Sequence, residues 1–227
     1  MIPPAAVLMD IEGTTTPIAF VHDVLFPYAR KRLPGWCKTN CTAPVIDAVA
    51  ALAPGQDVVQ TLLGWMDRDE KITPLKTIQG MIWAEGYASG EIKGNIYPDI
   101  APALRRWSKA GLRLFVYSSG SVDAQKLLFG HSTEGDLTPL FQGFFDTFVG
   151  PKRAAKSYTD ICRGANISAH EFLFLSDVEA ELDAAAASGL RTCQLVRPHD
   201  NTIASTRHAV AANFAEVAPQ FGLPRVS

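Results

Sequence analysis

Three short apolar runs in this 227-residue chain share a property that narrows the folds open to it: each breaks off at a small polar or acidic residue. Ala5-Ala-Val-Leu-Met9 stops at Asp10, Leu112-Arg-Leu-Phe-Val-Tyr117 at Ser118, and Phe172-Leu-Phe-Leu175 at Ser176-Asp177. Thr192-Cys-Gln-Leu-Val196, ahead of Arg197-Pro198, is a fourth run of the same kind. Their shortness, their β-branched and aromatic content and the punctuation after them predict buried strands. Helical patterns follow or precede them over 100–110, 122–129 and 178–188, with Pro98 ahead of the first and Gly111 and Gly189 as stop signals. Strands that alternate with helices predict an α/β fold, a parallel sheet covered on both faces. Ligands of such sheets bind beyond the carboxyl ends of the strands. Asp10, Ser118 and Asp177 all fall there, which makes them one candidate site.

The segment 20–97 reads differently. Helical spacing recurs over 20–32, 43–52, 57–68 and 74–83, with no convincing strand among them. The expected organisation is an α/β core of residues 1–19 and 98–227, with a helical cap, 20–97, inserted after the first strand. No internal repeat or low-complexity tract is present.

Composition excludes several function classes. A 47% hydrophobic content supports a sizeable core, and a net charge of −2 leaves no basic footprint for nucleic acid or an anionic membrane. The apolar start reaches only to Met9 before Asp10 and lacks a basic leader, and no run is long enough to cross a bilayer. Cys37, Cys41, Cys162 and Cys193 are too few for a disulfide scaffold, and no second close pair completes a zinc site with Cys37 and Cys41. The expectation is a cytoplasmic protein with reduced thiols whose partner is a small molecule, with no nucleic acid and no membrane, acting as a monomer.

Four segments can carry chemistry. Asp10-Ile-Glu12-Gly-Thr-Thr-Thr16 places two carboxylates two residues apart just past a strand, where one can serve as nucleophile or metal ligand and the other as acid and base. Gly13 permits a sharp turn, and the threonines offer hydroxyl and amide donors to an anion; a plain hydrogen-bonded turn at a strand end uses the same residue types. Ser118-Ser119-Gly-Ser121 opens a helix and can hold a phosphate, or simply cap that helix. Lys152 and Lys156, in Gly150-Pro-Lys-Arg-Ala-Ala-Lys-Ser157, can neutralise a phosphate or sit in solvent. Asp177-Val-Glu-Ala-Glu181 can complete an oxygen-ligand set for Mg²⁺ with Asp10, or favour a helix dipole. Glu179 reads as a first-turn acid, while Glu181 and Asp183 either support the site or solvate the helix.

In this order the four segments resemble the haloacid-dehalogenase-like phosphohydrolases. The details are similar to the acireductone synthases, the enolase-phosphatases of methionine salvage. Glu12 stands where the superfamily commonly has a second Asp, and Ser118-Ser-Gly-Ser-Val-Asp-Ala-Gln-Lys126, Gly130-His-Ser132, Gly135-Asp-Leu-Thr-Pro-Leu-Phe141, Phe145-Asp-Thr147, Phe174-Leu-Ser-Asp177 and Glu181-Leu-Asp-Ala-Ala185 continue the match. In the cap, Gln79-Gly-Met-Ile-Trp83, Gly86-Tyr87, Gly90-Glu-Ile-Lys-Gly94 and Tyr97-Pro-Asp99 agree as well. The resemblance implies a Rossmann-like core with Asp10 as nucleophile and Mg²⁺ ligand. Glu12 would be acid/base and ligand through its backbone carbonyl, and Asp177 the remaining ligand of one Mg²⁺ per chain. It implies that Ser118, Ser119 and Lys152 bind the substrate phosphate; Lys152 is preferred to Lys156 because it lies two residues after Gly150 and five before Ser157-Tyr158. The implied substrate is 2,3-diketo-5-methylthiopentyl-1-phosphate, enolised and then hydrolysed to the acireductone and phosphate. Gln79, Trp83, Tyr87 and Lys93 are candidate contacts for the methylthio end and the diketone. A generic small-molecule phosphatase of the same superfamily is the alternative; a haloalkanoate dehalogenase needs no ligand like Asp177, and a non-catalytic binding module needs no such intact set.

Overall fold

A computed structural model describes residues 2–70 and 72–226. The chain divides into two compact units, one made of Met1–Ala19 and Gly94–Ser227, the other of Phe20–Lys93.

The first unit is built on a six-stranded sheet in which every pairing is parallel. Its strands are β1 (Ala6–Met9), β2 (Arg113–Tyr117), β3 (Gly143–Phe145), β4 (Phe172–Ser176), β5 (Arg191–Leu195) and β6 (Ala209–Ala211). They lie in the order β3-β2-β1-β4-β5-β6, so the strand order reverses beside β1. The register aligns Met9 with Val116 of β2 and with Leu175 of β4. Asp10, Tyr117-Ser118 and Ser176-Asp177 therefore leave the sheet at one edge, at the switch point where doubly wound sheets open a crevice.

The two edge strands β3 and β6, absent from the sequence expectation, are three residues each, too short for periodicity to mark. Alternate residues of the central strands face opposite layers. Leu8, Phe115, Phe172 and Phe174 pack with Tyr158 and Ile161 of α8 (Ala155–Ala165) and Leu182 of α9 (Glu179–Ala187). On another part of the unit, α6 (Ile100–Lys109) buries Ile100, Leu104 and Trp107 and exposes Arg105, Arg106 and Lys109, and Trp107 stacks on Phe214 of α10 (Phe214–Phe221) at 5.2 Å. The helix α7 (Val122–Gly130) follows β2.

The second unit is helical, as the sequence predicts. A π-helical turn, Val21–Leu25, leads into α2 (Phe26–Asn40), followed by α3 (Ala43–Ala50), α4 (Val58–Asp67) and α5 (Thr73–Ala88); the short α1 (Ile18–Phe20) ends where the unit begins. Two of these helices outrun the predicted limits. The first was expected to stop at residue 32, yet α2 continues through Pro34, because one missing ladder bond is outweighed by burial of Leu33, Trp36 and Cys37 beyond it. Likewise α5 runs past 83 to bury Gly86 and Tyr87, and a Cβ on Gly86 would come within 2.7 Å of the Tyr28 hydroxyl. Ala29, Leu33, Trp36, Leu62, Leu75 and Ile78 form this unit's own core. Residues 94–97 belong with the sheet: Gly94 N–H donates to the His131 carbonyl and Tyr97 N–H to that of Thr15.

Candidate active site

The loop after β1 is folded by its own backbone. The amides of Thr14, Thr15 and Thr16 all converge on the Ile11 carbonyl (3.2, 2.9 and 2.9 Å), and Gly13 N–H donates to that of Thr16 (2.8 Å). These amides are consequently taken up within the turn, and the expectation that they serve an anion is corrected. Gly13 has φ +66°, and a Cβ there would stand 2.5 Å from Asp177 Oδ2. Only glycine lets the turn close against that carboxylate.

Asp10 is 5% exposed. Its Oδ1 accepts from Ile11 N–H (2.7 Å) and pairs with Lys152 Nζ (2.7 Å); its Oδ2 takes a longer contact from Ser176 Oγ (3.5 Å). Lys152 also reaches Glu181 Oε2 at 2.6 Å, and Ser176 Oγ donates to the same carboxylate at 3.1 Å. Glu181, left open by the sequence as support or solvation, is thus buried in the cluster. Glu179 instead pairs with Arg207 (2.9 Å), and Lys156 with Asp160, at the surface.

The lysine is held by its backbone. Three consecutive carbonyls each accept a hydroxyl: Gly150 from Tyr117 (2.8 Å), Pro151 from Ser157 (2.8 Å) and Lys152 from Tyr158 (2.7 Å). Gly150 adopts φ +138°, and a Cβ there would meet Ser157 Oγ at 2.3 Å. The Ser157-Tyr158 pair that sets the lysine's spacing in the sequence therefore also anchors its loop.

Ser118 is buried at the end of β2, its Oγ accepting from Gly120 N–H (3.2 Å). Ser119 beside it is exposed. Ser121 caps α7 by accepting from Ala124 N–H (3.3 Å), and Asp146 Oδ2 takes the Val122 N–H (3.2 Å). Asp146 thereby occupies the Val122 amide at the helix start that the sequence offered to a phosphate. Gln125, 1% exposed, clamps the loop by donating to the Gly120 and Phe145 carbonyls (both 2.8 Å). Its place in a helical pattern carried no signal for that role.

The electrostatics favour a cation. Burial draws the Lys152 ammonium down, but Asp10 and Glu181 outweigh it and hold the group above the usual lysine value. Burial, then the charge of Asp10, raises the Glu181 carboxyl and pushes Asp177 up to about 7. Asp177 Oδ1 is buried with no hydrogen-bond partner. A carboxylate strained by a neighbouring one, with an orphaned oxygen, suits a hard divalent ion. Among the described residues no three His, Cys, Asp or Glu side chains gather as a metal cluster. Glu12, half-buried in the loop, has its backbone at the turn.

Within the second unit, Gln79 and Tyr87 are buried, Lys93 is exposed, and Trp83 Nε1 donates to the Leu25 carbonyl (2.8 Å) while its ring packs on the helical core. No helix among the described residues is long and apolar enough to cross a membrane.

Residues 4–189 match the family described as haloacid dehalogenase-like hydrolase. The enolase-phosphatase E1 of Gluconacetobacter diazotrophicus is 56% identical over 223 residues, 96% of this chain and 95% of that protein. That of Granulibacter bethesdensis is 55% identical over 229 residues, 99% of each. Among solved structures, the UTR4 protein of Saccharomyces cerevisiae superposes with a TM-score of 0.80 at 37% identity, covering 93% of this chain and 98% of that one. CbbY of Rhodobacter sphaeroides in complex with phosphate shares the fold, with a TM-score of 0.66 at 17% identity, over 97% of this chain and 100% of that one.

Proposed function

The chain belongs to the haloacid dehalogenase-like hydrolase family, alongside the enolase-phosphatases, and from that premise we propose that it is a Mg²⁺-dependent enolase-phosphatase of methionine salvage. It enolises 2,3-diketo-5-methylthiopentyl-1-phosphate and hydrolyses the enol phosphate to the acireductone and inorganic phosphate. The observation that carries this reading at the site is the Asp10–Lys152 pair at 2.7 Å beside the strained Asp177. A nucleophile, its counter-cation and an unsatisfied acid are what phosphoryl transfer requires in one place.

Asp10, the Glu12 backbone carbonyl and Asp177 would hold the metal. When bound, Mg²⁺ supplies positive charge for the phosphate oxygens and for the acidic cluster. Asp10 Oδ2, less engaged than Oδ1, attacks phosphorus, and the bond to the enol oxygen breaks as Glu12 delivers its proton to that oxygen. Water then attacks the aspartyl-phosphate, Glu12 takes its proton, and Asp10 is regenerated with release of phosphate. Lys152 balances the charge on Asp10 and on the phosphate throughout, and Ser118 and Ser119 donate to phosphate oxygens. In the earlier step Glu12 accepts the proton from C1 while solvent supplies one to the C2 carbonyl oxygen, which gives the enol and leaves Glu12 protonated for delivery to the leaving oxygen.

The protein works as a cytoplasmic monomer on a small phosphorylated substrate. The deciding experiment is turnover of the diketone phosphate with and without Mg²⁺, following enol absorbance and phosphate release together. Both signals are expected, each dependent on Mg²⁺. Phosphate release from simple phosphomonoesters with no enol signal from the diketone would make the protein a generic phosphatase.

A further inference from the structure

A buried cation outside this chemistry grips the same loop. Arg197 follows β5 and is 3% exposed. Because the amides of residues 14–16 turn inward to Ile11, the carbonyls of Thr14 and Thr15 need donors from elsewhere in surroundings where residues 14–16 are fully buried. Thr15 receives Tyr97 N–H (3.1 Å). Thr14 receives two prongs of one guanidinium, Arg197 Nε at 3.1 Å and Nη2 at 2.5 Å. The remaining nitrogen, Nη1, lies 2.9 and 3.0 Å from the two Asp99 oxygens and 3.3 Å from the Ala212 carbonyl. The Arg197 guanidinium carbon stands 4.1 Å from the centre of the Tyr97 ring. Every edge of the fork is thus assigned, and its plane is fixed.

We propose that Arg197 is a positioning residue for the reaction, holding the Thr14 carbonyl so that the loop presents Asp10 and Glu12 in reactive register. The coupling is short. Thr15 Oγ1 donates back to the Asp10 carbonyl (3.1 Å), so a shift at Thr14 is felt at the nucleophile through one neighbouring residue. Glu12 lies on the same turn, between the two. A lysine retains the charge beside Asp99 but lacks the planar fork that serves Thr14 and Asp99 together. Asp99 has the separate duty of accepting Phe214 N–H (2.8 Å) at the start of α10, which ties it to the packing of the unit.

The inference rests on the proposed role of Asp10, and the test separates the two. Steady-state kinetics and thermal unfolding are measured on the full chain with Arg197→Lys and with Asp99→Asn, using the diketone phosphate and p-nitrophenyl phosphate. For Arg197→Lys the expected result is a kcat per folded molecule at least about tenfold below wild type with KM little changed, since misplacement acts on the reacting atoms. For Asp99→Asn, which leaves both bonds to Thr14, it is a lower Tm with kcat within about threefold of wild type. An Arg197→Lys enzyme with wild-type kcat, whatever its Tm, would overturn the proposal, as would an Asp99→Asn enzyme that loses as much kcat as Arg197→Lys. Should Arg197→Lys fail to fold, Asp99→Asn decides: retained kcat supports positioning through Thr14, and a tenfold loss overturns it. A wild-type protein that hydrolyses p-nitrophenyl phosphate and ignores the diketone phosphate overturns the substrate assignment alone.

Discussion

Asp177 is a carboxyl under opposed demands: its backbone carbonyl is fixed by Gln194 Nε2 at 2.8 Å, its side chain is pressed against Gly13, and its charge faces that of Asp10. Folding raises its pKa from 3.8 to about 7, by burial first and Asp10 second. The folded chain therefore holds a proton that the unfolded chain releases across that window. In metal-depleted protein this residue is at its least destabilising at about pH 4, becomes more so as pH rises, and reaches its full effect above about pH 7. Asp177→Asn should accordingly raise the Tm of metal-free protein at pH 8 by about 4 °C or more, with a gain that shrinks towards pH 4. Added Mg²⁺ should stabilise wild type and not the variant; thermal unfolding in chelator and in Mg²⁺ across that range checks both. Gly13 belongs to the same contact. Gly13→Ala forces a side chain into the left-handed region, destabilising by roughly 1–2 kcal/mol, and drives its Cβ towards Asp177. Turnover is expected to fall about 100-fold, with urea unfolding reporting the smaller loss of stability.

At the level of elements, what the sequence made legible followed burial and sharp punctuation. β1, β2, β4 and β5 are apolar runs ended by polar residues, and their carboxyl ends brought Asp10, Ser118 and Asp177 to one side. β3 and β6 were invisible because an edge strand of three residues needs no long apolar run. Lys152 stood out through spacing from Gly150 and Ser157-Tyr158, yet the reason for the spacing is tertiary: Tyr117 and Tyr158 come from different elements to hold the carbonyls of Gly150 and Lys152, two residues apart. Asp146 and Gln125 stood in motifs of the resemblance without a role of their own, because their partners are brought in by the fold. Arg197 read only as the end of a strand, and its contacts with Thr14 and Asp99 span distant parts of the chain. The lysine loop gives a prediction at this scale. Tyr158→Phe keeps the ring against Tyr117 and Phe174 and removes one donor, leaving the Lys152 carbonyl short of a partner. That should lower stability by about 1–3 kcal/mol and reduce kcat more than it raises KM, measured by urea unfolding and steady-state kinetics.

Across the whole molecule, the two units differ in how their stability is organised. In the first, sheet pairings connect residues far apart in sequence, so β1 cannot hold its place without β2 and β4. The second is a contiguous stretch whose core is made by consecutive helices, with Leu62 of α4 fully buried among Leu33, Trp36 and Leu75. Local helical contacts can open and re-form without dismantling a parallel sheet. Leu62→Ala leaves a cavity in that core and should destabilise it by about 2–5 kcal/mol. The loss is expected to be local. Native-state hydrogen exchange should show faster exchange in α2, α4 and α5, while the amides of β1 and β4 keep their protection, and limited proteolysis should cut first within 20–93. Uniformly faster exchange in both units would mean that the chain unfolds as one cooperative body, with the helical insertion drawing its stability from the sheet.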